Sequence, residues 1–198
     1  MVSNMKKLTR ADLYGLEKYA ELRAAFRAEV IAHKEHRRVA IGRHATLYFE
    51  DRLTIQYQIQ EMLRAERIFE TAGIEEELAA YNPLIPDGSN WKATFMIEYD
   101  DVSERQQALA RMTHIEDRVW VQIGNHERVW AIADEDMDRT NDEKTSAVHF
   151  LRFEFTPLMI SAAKEGVAIA VGIDHDAYRL QVDRLPPEIH QALEKDFC

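Results

Sequence analysis

The stretch EDRLTIQYQIQEMLRAER, residues Glu50–Arg67, tells most about how this chain folds. At about 100° per residue, its apolar side chains collect on one side of a single helix, as they do when a helix packs on a core. These side chains belong to Ile55, Ile59, Met62 and Leu63, together with Phe69 just beyond the stretch. Glu66 projects to the centre of the same arc, so the pattern predicts a buried carboxylate that needs a partner or takes up a proton.

The rest of this helix is unusually polar for one that packs on a core. Gln56, Gln60 and Arg67 follow one shoulder, whereas Tyr57, Glu61 and Arg64 lie on the back. Tyrosine and arginine are favoured at protein interfaces. The candidate interface for a partner protein therefore consists of Gln56, Tyr57, Gln60 and Glu61.

On both sides of this helix, segments whose apolar residues have the period of a strand alternate with segments that have the period of a helix. Thr9 and Asp12 resemble a capping box that opens an N-terminal helix over about residues 9–32. We expect further helices at 74–80, 103–112, 157–164 and after Pro186, with Gly73 ending the helix of the opening stretch. Strands are expected at 39–49, 92–99, 146–155 and 167–173, with a hairpin over 119–133. A turn-rich loop at 81–90 and an acidic connector at about 134–145 complete the chain.

This order predicts an α/β (α+β) fold with one globular domain over residues 1–198. We expect a mixed β-sheet of about five to seven strands, with packed helices and one β-hairpin. A hydrophobic share of 46% supports a folded domain.

Composition narrows the class of protein. The formal net charge is −10, which opposes general binding to nucleic acid or to an anionic membrane. Cys198 is the single cysteine, so no disulfide framework or cysteine-based metal site forms within the chain. The start of the chain lacks the apolar segment of a signal peptide, and no apolar run approaches membrane-spanning length. We therefore expect a cytoplasmic location.

Six segments resemble a bacterial family known as domain of unknown function 3501. They are RRVAIG at 37–42, LYFEDRLTIQYQIQEMLRAERI at 47–68, ELAAYNPLIP at 77–86, KATFMIEY at 92–99, SAVHFLRFEF at 146–155 and GIDHDAY at 172–178. The family's segment usually has proline after the histidine, whereas Asp176 follows His175 here. The resemblance implies a redox or iron-linked setting, because genes for rubrerythrin-like proteins and iron–sulfur oxidoreductases tend to lie beside members of the family.

Several polar residues stand where their elements should face packed neighbours. Glu66, Glu98 and His149 are the candidate metal ligands and pocket residues, because carboxylates and imidazole together suit iron, manganese or zinc. Arg64 or Arg152 beside them would hold an anionic group. The alternatives are a structural salt bridge from Glu66 to Arg38 or Arg152, and a hydrogen-bonded core histidine at His149.

Asp174 and His175 follow the strand at 167–173, where site residues often lie. They equally fit a turn in which the acid caps the backbone.

The sequence contains no dinucleotide, P-loop, esterase, Glu-x-x-His or HExxH fingerprint. Two classes of function remain. One is an accessory or binding protein in a redox or iron-linked context, with a rubrerythrin-like or iron–sulfur partner. The other is a small metal- or small-molecule-dependent enzyme with a buried Glu/His pocket. The sequence requires no cofactor, and a divalent metal would fit the second class. A homodimer is expected, because the hairpin that carries Trp120 and Trp130 adds apolar surface.

Overall fold

The computed structural model describes residues 6–136, 139–141 and 144–198. The helices are α1 Leu16–Glu35, α2 Arg52–Ala65, α3 Thr71–Tyr81, α4 Val102–Arg111, α5 Pro157–Lys164 and α6 Pro187–Glu194. The strands are β1 Arg38–Ile41, β2 Ala45–Glu50, β3 Asn90–Ile97, β4 Val119–Ile123, β5 Val129–Trp130, β6 Ile132–Ala133, β7 Val148–Glu154, β8 Ile169–His175 and β9 Tyr178–Val182. Short 3-10 helices occur at Arg10–Asp12, Asn82–Leu84 and Ile115–Arg118.

The α/β class is confirmed, and the strands of the described residues form two sheets. Five strands pair in the order β1-β2-β3-β7-β6, and four pair in the order β5-β4-β8-β9. All neighbouring strands are antiparallel. Two antiparallel sheets thus replace the single mixed sheet that the sequence predicted.

The predicted hairpin at 119–133 divides between these sheets. β4 pairs with β5, so that Trp120 lies opposite Trp130. After Ala131 the chain leaves this partner, and β6 pairs with β7 of the other sheet. β5 and β6 are therefore separate strands, because both neighbours of a single strand lie in the plane of one sheet.

The strands bury alternate residues in one apolar core that both sheets share. Phe95 of β3, Phe153 of β7, Val121 of β4 and Val171 of β8 are all fully buried there. The period of two on 92–99 and 146–155 predicted these inward faces correctly. The opposite face of the five-stranded sheet meets α2 and α3, which pack together through Ile59, Leu63 and Leu78.

Helix α2 is shorter than predicted, and this overturns the expected burial of Glu66. The helix begins after Asp51, whose side chain accepts the Thr54 N–H at 3.0 Å. It ends at Ala65, because Glu66 is the C-cap and Arg67 turns into the left-handed region at φ 56°. Glu66 is exposed. The apolar stripe therefore ends at Leu63.

Four other boundaries differ from the sequence prediction. The expected strand at 39–49 is the hairpin β1–β2, which turns at Gly42 with φ 74°. The capping box of Thr9 belongs to the 3-10 helix that precedes α1. Gly73 lies within α3 instead of breaking a helix, and β9 was not predicted. Residues 137, 138, 142 and 143 of the acidic connector lie outside the described residues.

Candidate functional site

A groove of about 490 Å³ lies between α2, α3 and the outer face of the five-stranded sheet. Its apolar lining consists of Met62, Ala80, Tyr81, Pro83, Leu84, Phe150 and Leu151. A second groove of about 360 Å³ adjoins it, since Tyr81, Leu84 and Phe150 line both. This volume and apolar lining are typical of pockets that bind small molecules. We call the first of these the Lys92 groove.

Lys92 lies in this groove because alternate residues of β3 point away from the core. Among residues 6–136, 139–141 and 144–198, its ammonium has neither a hydrogen bond nor an ion pair. Burial lowers the pKa of Lys92, and the guanidinium of Arg152 lowers it further. The charges of Glu135, Asp87 and Glu154 oppose this shift without forming an ion pair with the ammonium, so the net pKa remains lowered. An anionic ligand in direct contact with Lys92 would offset the remaining cost of burial.

Arg152 stands directly opposite Lys92 on the neighbouring strand β7. Its Nε donates to Oε2 of Glu135 at 2.8 Å, and its Nη2 donates to Oε1 of the same residue at 2.8 Å. Its Nη1 donates to Glu154. The Glu135 side chain is 51% exposed. This clamp therefore lies at the open side of the groove, where another carboxylate could replace that of Glu135.

Glu77 brings a carboxyl group to the same groove from α3. Burial raises the pKa of Glu77, and the negative charges of Glu66 and Glu76 raise it further. In the described part of the chain, this carboxyl also lacks a hydrogen bond and an ion pair. The Lys92 groove thus contains an amine and a carboxyl that are both displaced toward their neutral forms. Such pairs are common in sites that transfer protons.

His149 belongs to a different, buried cluster on the core side of the sheet. Its Nδ1 lies 2.5 Å from Oδ2 of Asp134, and its Nε2 lies 2.9 Å from Oγ1 of Thr145. Oε2 of Glu116 lies 3.8 Å from Nε2. One ligand atom each from Glu116, Asp134 and His149 falls within 4.8 Å of the others. We call these three residues the acid–histidine cluster.

Hydrogen bonds close the acid–histidine cluster. Oδ1 of Asp134 accepts the Phe150 N–H at 3.0 Å, and Thr145 donates to Oε2 of Glu116 at 3.2 Å. The ligand types suit a divalent metal. A metal would nevertheless have to replace bonds that already hold both ring nitrogens. The arrangement therefore serves first to fasten the described part of the connector to β7.

The predicted pocket residues are spread over separate places. Glu66 and Arg64 are exposed at the end of α2. Glu98 is also exposed, and its Oε2 accepts the Thr46 hydroxyl at 2.7 Å. Neither glutamate belongs to the hydrogen-bonded group of His149.

Asp174 and His175 form local contacts at the turn between β8 and β9. Oδ1 of Asp174 accepts Nε of Arg179 at 2.7 Å. Nδ1 of His175 accepts the Ala177 N–H at 3.1 Å, and its Nε2 lies 3.0 Å from the Thr113 carbonyl oxygen. The pair therefore lies at a turn, but the imidazole of His175 caps the backbone, whereas the acid that was expected to do so binds the side chain of Arg179.

The polar face of α2 is covered by the same chain. Gln56 donates to the Asp12 carbonyl at 2.7 Å. Gln60 is fully buried against Tyr14, and Glu61 binds Arg23 and Tyr19 of α1.

The ring of Tyr57 packs edge-on against Phe26 of α1 at 5.9 Å. The candidate interface for a partner is thus an internal surface between α2 and the N-terminal residues.

Sequence reasoning missed Lys92 and Glu77. Lys92 carried a local signal. It shares the outer face of its strand with Thr94 and Met96, where a lysine would be fully solvated unless another element packed over that face. Glu77 carried no such signal, because it follows two other glutamates, Glu75 and Glu76, in the sequence. Those two are exposed, and only the packing of α3 makes Glu77 differ from them.

A family model matches residues 7–197, nearly the whole chain. The protein belongs to the family described as Protein of unknown function (DUF3501). This confirms the family resemblance seen in the sequence. A crystal structure of a novel protein of unknown function from Burkholderia pseudomallei K96243 is similar, with 50% identity and a TM-score of 0.93. The match covers 98% of this chain and 100% of that one.

Comparison with curated proteins finds no match. No helix in the described residues has the length and apolar character needed to cross a membrane.

Proposed function

We propose that this DUF3501 protein binds a small molecule with an apolar body and a carboxylate, and that the Lys92 groove is the binding site. The observation that carries the proposal is the half-buried ammonium of Lys92, which has no anionic partner in the described part of the chain. The groove's volume of about 490 Å³ and its apolar wall supply the rest of the site.

Charge explains why the ligand should be an anion. Arg152 lies opposite Lys92 and lowers the pKa of its ammonium. A carboxylate placed between these two cations would offset their repulsion and the cost of burial together. The ligand's apolar body would then contact Tyr81, Leu84 and Phe150. Binding should strengthen as the pH falls below the pKa of Lys92, since the ammonium is the form that attracts the anion.

The redox or iron-linked setting remains a prediction from the family resemblance. The same holds for a rubrerythrin-like or iron–sulfur partner, a homodimer and a cytoplasmic location. A binding protein for a small carboxylate is compatible with each of them. The second candidate, a metal-dependent enzyme, draws on the acid–histidine cluster, whose three ligand atoms lie within 4.8 Å of one another.

The test is a titration of the protein with 4-methylpentanoate, followed by two-dimensional amide NMR. Signals of residues along the Lys92 groove should shift and saturate. Lys92→Gln should weaken binding roughly ten- to a hundredfold, because a charge-assisted hydrogen bond contributes about 1.5–3 kcal/mol.

Lys92→Arg keeps the charge and should retain most of the affinity. Lys18→Gln is the matched control, since Lys18 is an exposed lysine whose single ion pair in the described part of the chain is with Glu21. Equal affinities of Lys92→Gln and Lys18→Gln, or shifts confined to another surface, would overturn the proposal.

A further inference from the structure

We propose that Lys92 forms an imine with the carbonyl group of a 2-oxo acid bound in the groove, and that the carboxyl of Glu77 supplies the proton for loss of water. This inference rests on the proposed function and adds to it a ligand class and a chemical step.

The positions of Lys92 and Arg152 match the two functional groups of a 2-oxo acid. Directly opposed residues on antiparallel strands have Cβ atoms about 4.5–5.5 Å apart, and both side chains here project from the same face. In a 2-oxo acid the carbonyl carbon is bonded to the carboxylate. A carboxylate that takes the place of Glu135 on Arg152 would therefore bring the carbonyl toward the amine of Lys92.

The surroundings of Lys92 favour the nucleophilic form of its side chain. An amine attacks a carbonyl only when it is unprotonated. Burial and the guanidinium of Arg152 lower the pKa of Lys92. The charges of Glu135, Asp87 and Glu154 oppose the shift, but none of them forms an ion pair with the amine, and the pKa stays lowered. The neighbouring groove supplies apolar surface for the tail of the ligand.

Glu77 provides the complementary acid. It faces the same groove from α3, and burial raises its pKa. A carboxyl with a raised pKa holds its proton to higher pH than usual and can protonate the departing oxygen. Glu77 lines the groove from α3 and Lys92 lines it from β3, so the acid and the nucleophile come from two different walls of the groove.

The step balances without an oxidant or a reductant. The lone pair of the Lys92 nitrogen forms a C–N bond to the carbonyl carbon, and the carbonyl oxygen takes up a proton to become a hydroxyl. The nitrogen supplies that first proton. Glu77 then protonates the hydroxyl, the C–O bond breaks to release water, and the nitrogen lone pair forms the C=N bond of a protonated imine. The proton left on the nitrogen returns to Glu77, so the products are the imine, one water molecule and Glu77 in its starting protonated form.

The experiment incubates the full chain with 4-methyl-2-oxopentanoate and sodium cyanoborohydride, which reduces an imine to a stable secondary amine. Peptide mass mapping then locates the adduct. Lys92 should be labelled at least about tenfold faster than any of the other seven lysines, which serve as internal controls. Lys92→Arg should show no preferred labelling, because a guanidinium does not form the imine.

Glu77→Gln separates the acid from the binding site. It should slow labelling of Lys92 by roughly tenfold or more at saturating 4-methyl-2-oxopentanoate, where a change in affinity does not affect the rate. Uniform labelling of all lysines, or no labelling of a protein that binds 4-methylpentanoate, would overturn the imine and leave the proposed function intact. If 4-methylpentanoate itself fails to bind, the proposed function falls, and the imine falls with it.

Discussion

Gln60 should fasten the N-terminal residues to α2, and Gln60→Met tests this. The side chain is fully buried and forms a two-point contact with the backbone of Tyr14. Its Oε1 accepts the Tyr14 N–H at 2.5 Å, and its Nε2 donates to the Tyr14 carbonyl oxygen at 3.2 Å. Methionine has nearly the same length and shape, so the substitution removes both hydrogen bonds and leaves little cavity.

The expected loss follows from the two backbone groups that lose their partner. An unsatisfied buried donor or acceptor costs about 1–3 kcal/mol, and the partial exposure of Tyr14 favours the lower end for each. Gln60→Met should therefore reduce the free energy of unfolding by about 2 kcal/mol. For a chain of this length, that corresponds to a fall in Tm of about 4–8 °C.

Urea unfolding followed by tryptophan fluorescence measures this loss as a shift of the midpoint at constant slope. Gln58→Met is the matched control, because Gln58 lies on the same helix and has no hydrogen bond to the described residues. It should change the unfolding free energy by less than about 0.5 kcal/mol. If the two variants are equally stable, the buried amide does not fasten the N-terminal residues and the reasoning is refuted.

Two further outcomes follow from the structure. The hydrogen bond from Arg23 is the main reason that the pKa of Glu61 falls from its ordinary 4.5 to about 2. The ionised carboxyl therefore stabilises the fold above pH 4.5, and this stabilisation is lost as the pH falls toward 2. In acid unfolding curves, the difference in stability between wild type and Glu61→Gln should disappear over that interval. Gly172→Ala should cost about 1–3 kcal/mol in urea unfolding, because a Cβ there would overlap the ring of Trp120. Gly15→Ala has open space and should cost much less; equal losses would contradict the steric reasoning.

Local periodicity was enough to predict the class of fold and the faces of the main strands, while the family was predicted from the resemblance of six segments. On β7, His149 and Leu151 point inward and Phe150 and Arg152 point outward, as the alternation of 146–155 predicted. This works because side chains of a strand alternate by covalent geometry, whatever the strand pairs with. The capped start of α2 at Asp51 is equally local.

Helix ends and sheet membership could not be read from local pattern. Projecting α2 through Phe69 placed Glu66 in the apolar arc, but the left-handed turn at Arg67 ends that arc. β5 and β6 separate because they pair with edges of two different sheets. That pairing depends on where both sheets lie, which the local pattern of 119–133 does not specify. The end of a helix is a balance of small capping energies, which tertiary contacts readily shift.

The candidate site was decided by tertiary structure alone. Lys92 and Glu77 are far apart in the chain from Arg152, and only the packing of α3 on the outer face of the sheet gathers them around one groove. His149 was correctly singled out as a polar residue on an apolar face, but its partners Asp134 and Glu116 come from segments with no shared period. Sequence determines which side chains face inward because that follows from backbone geometry. Which inward or half-buried groups meet depends on long-range packing, and burial together with neighbouring charges shifts the pKa values of Lys92 and Glu77.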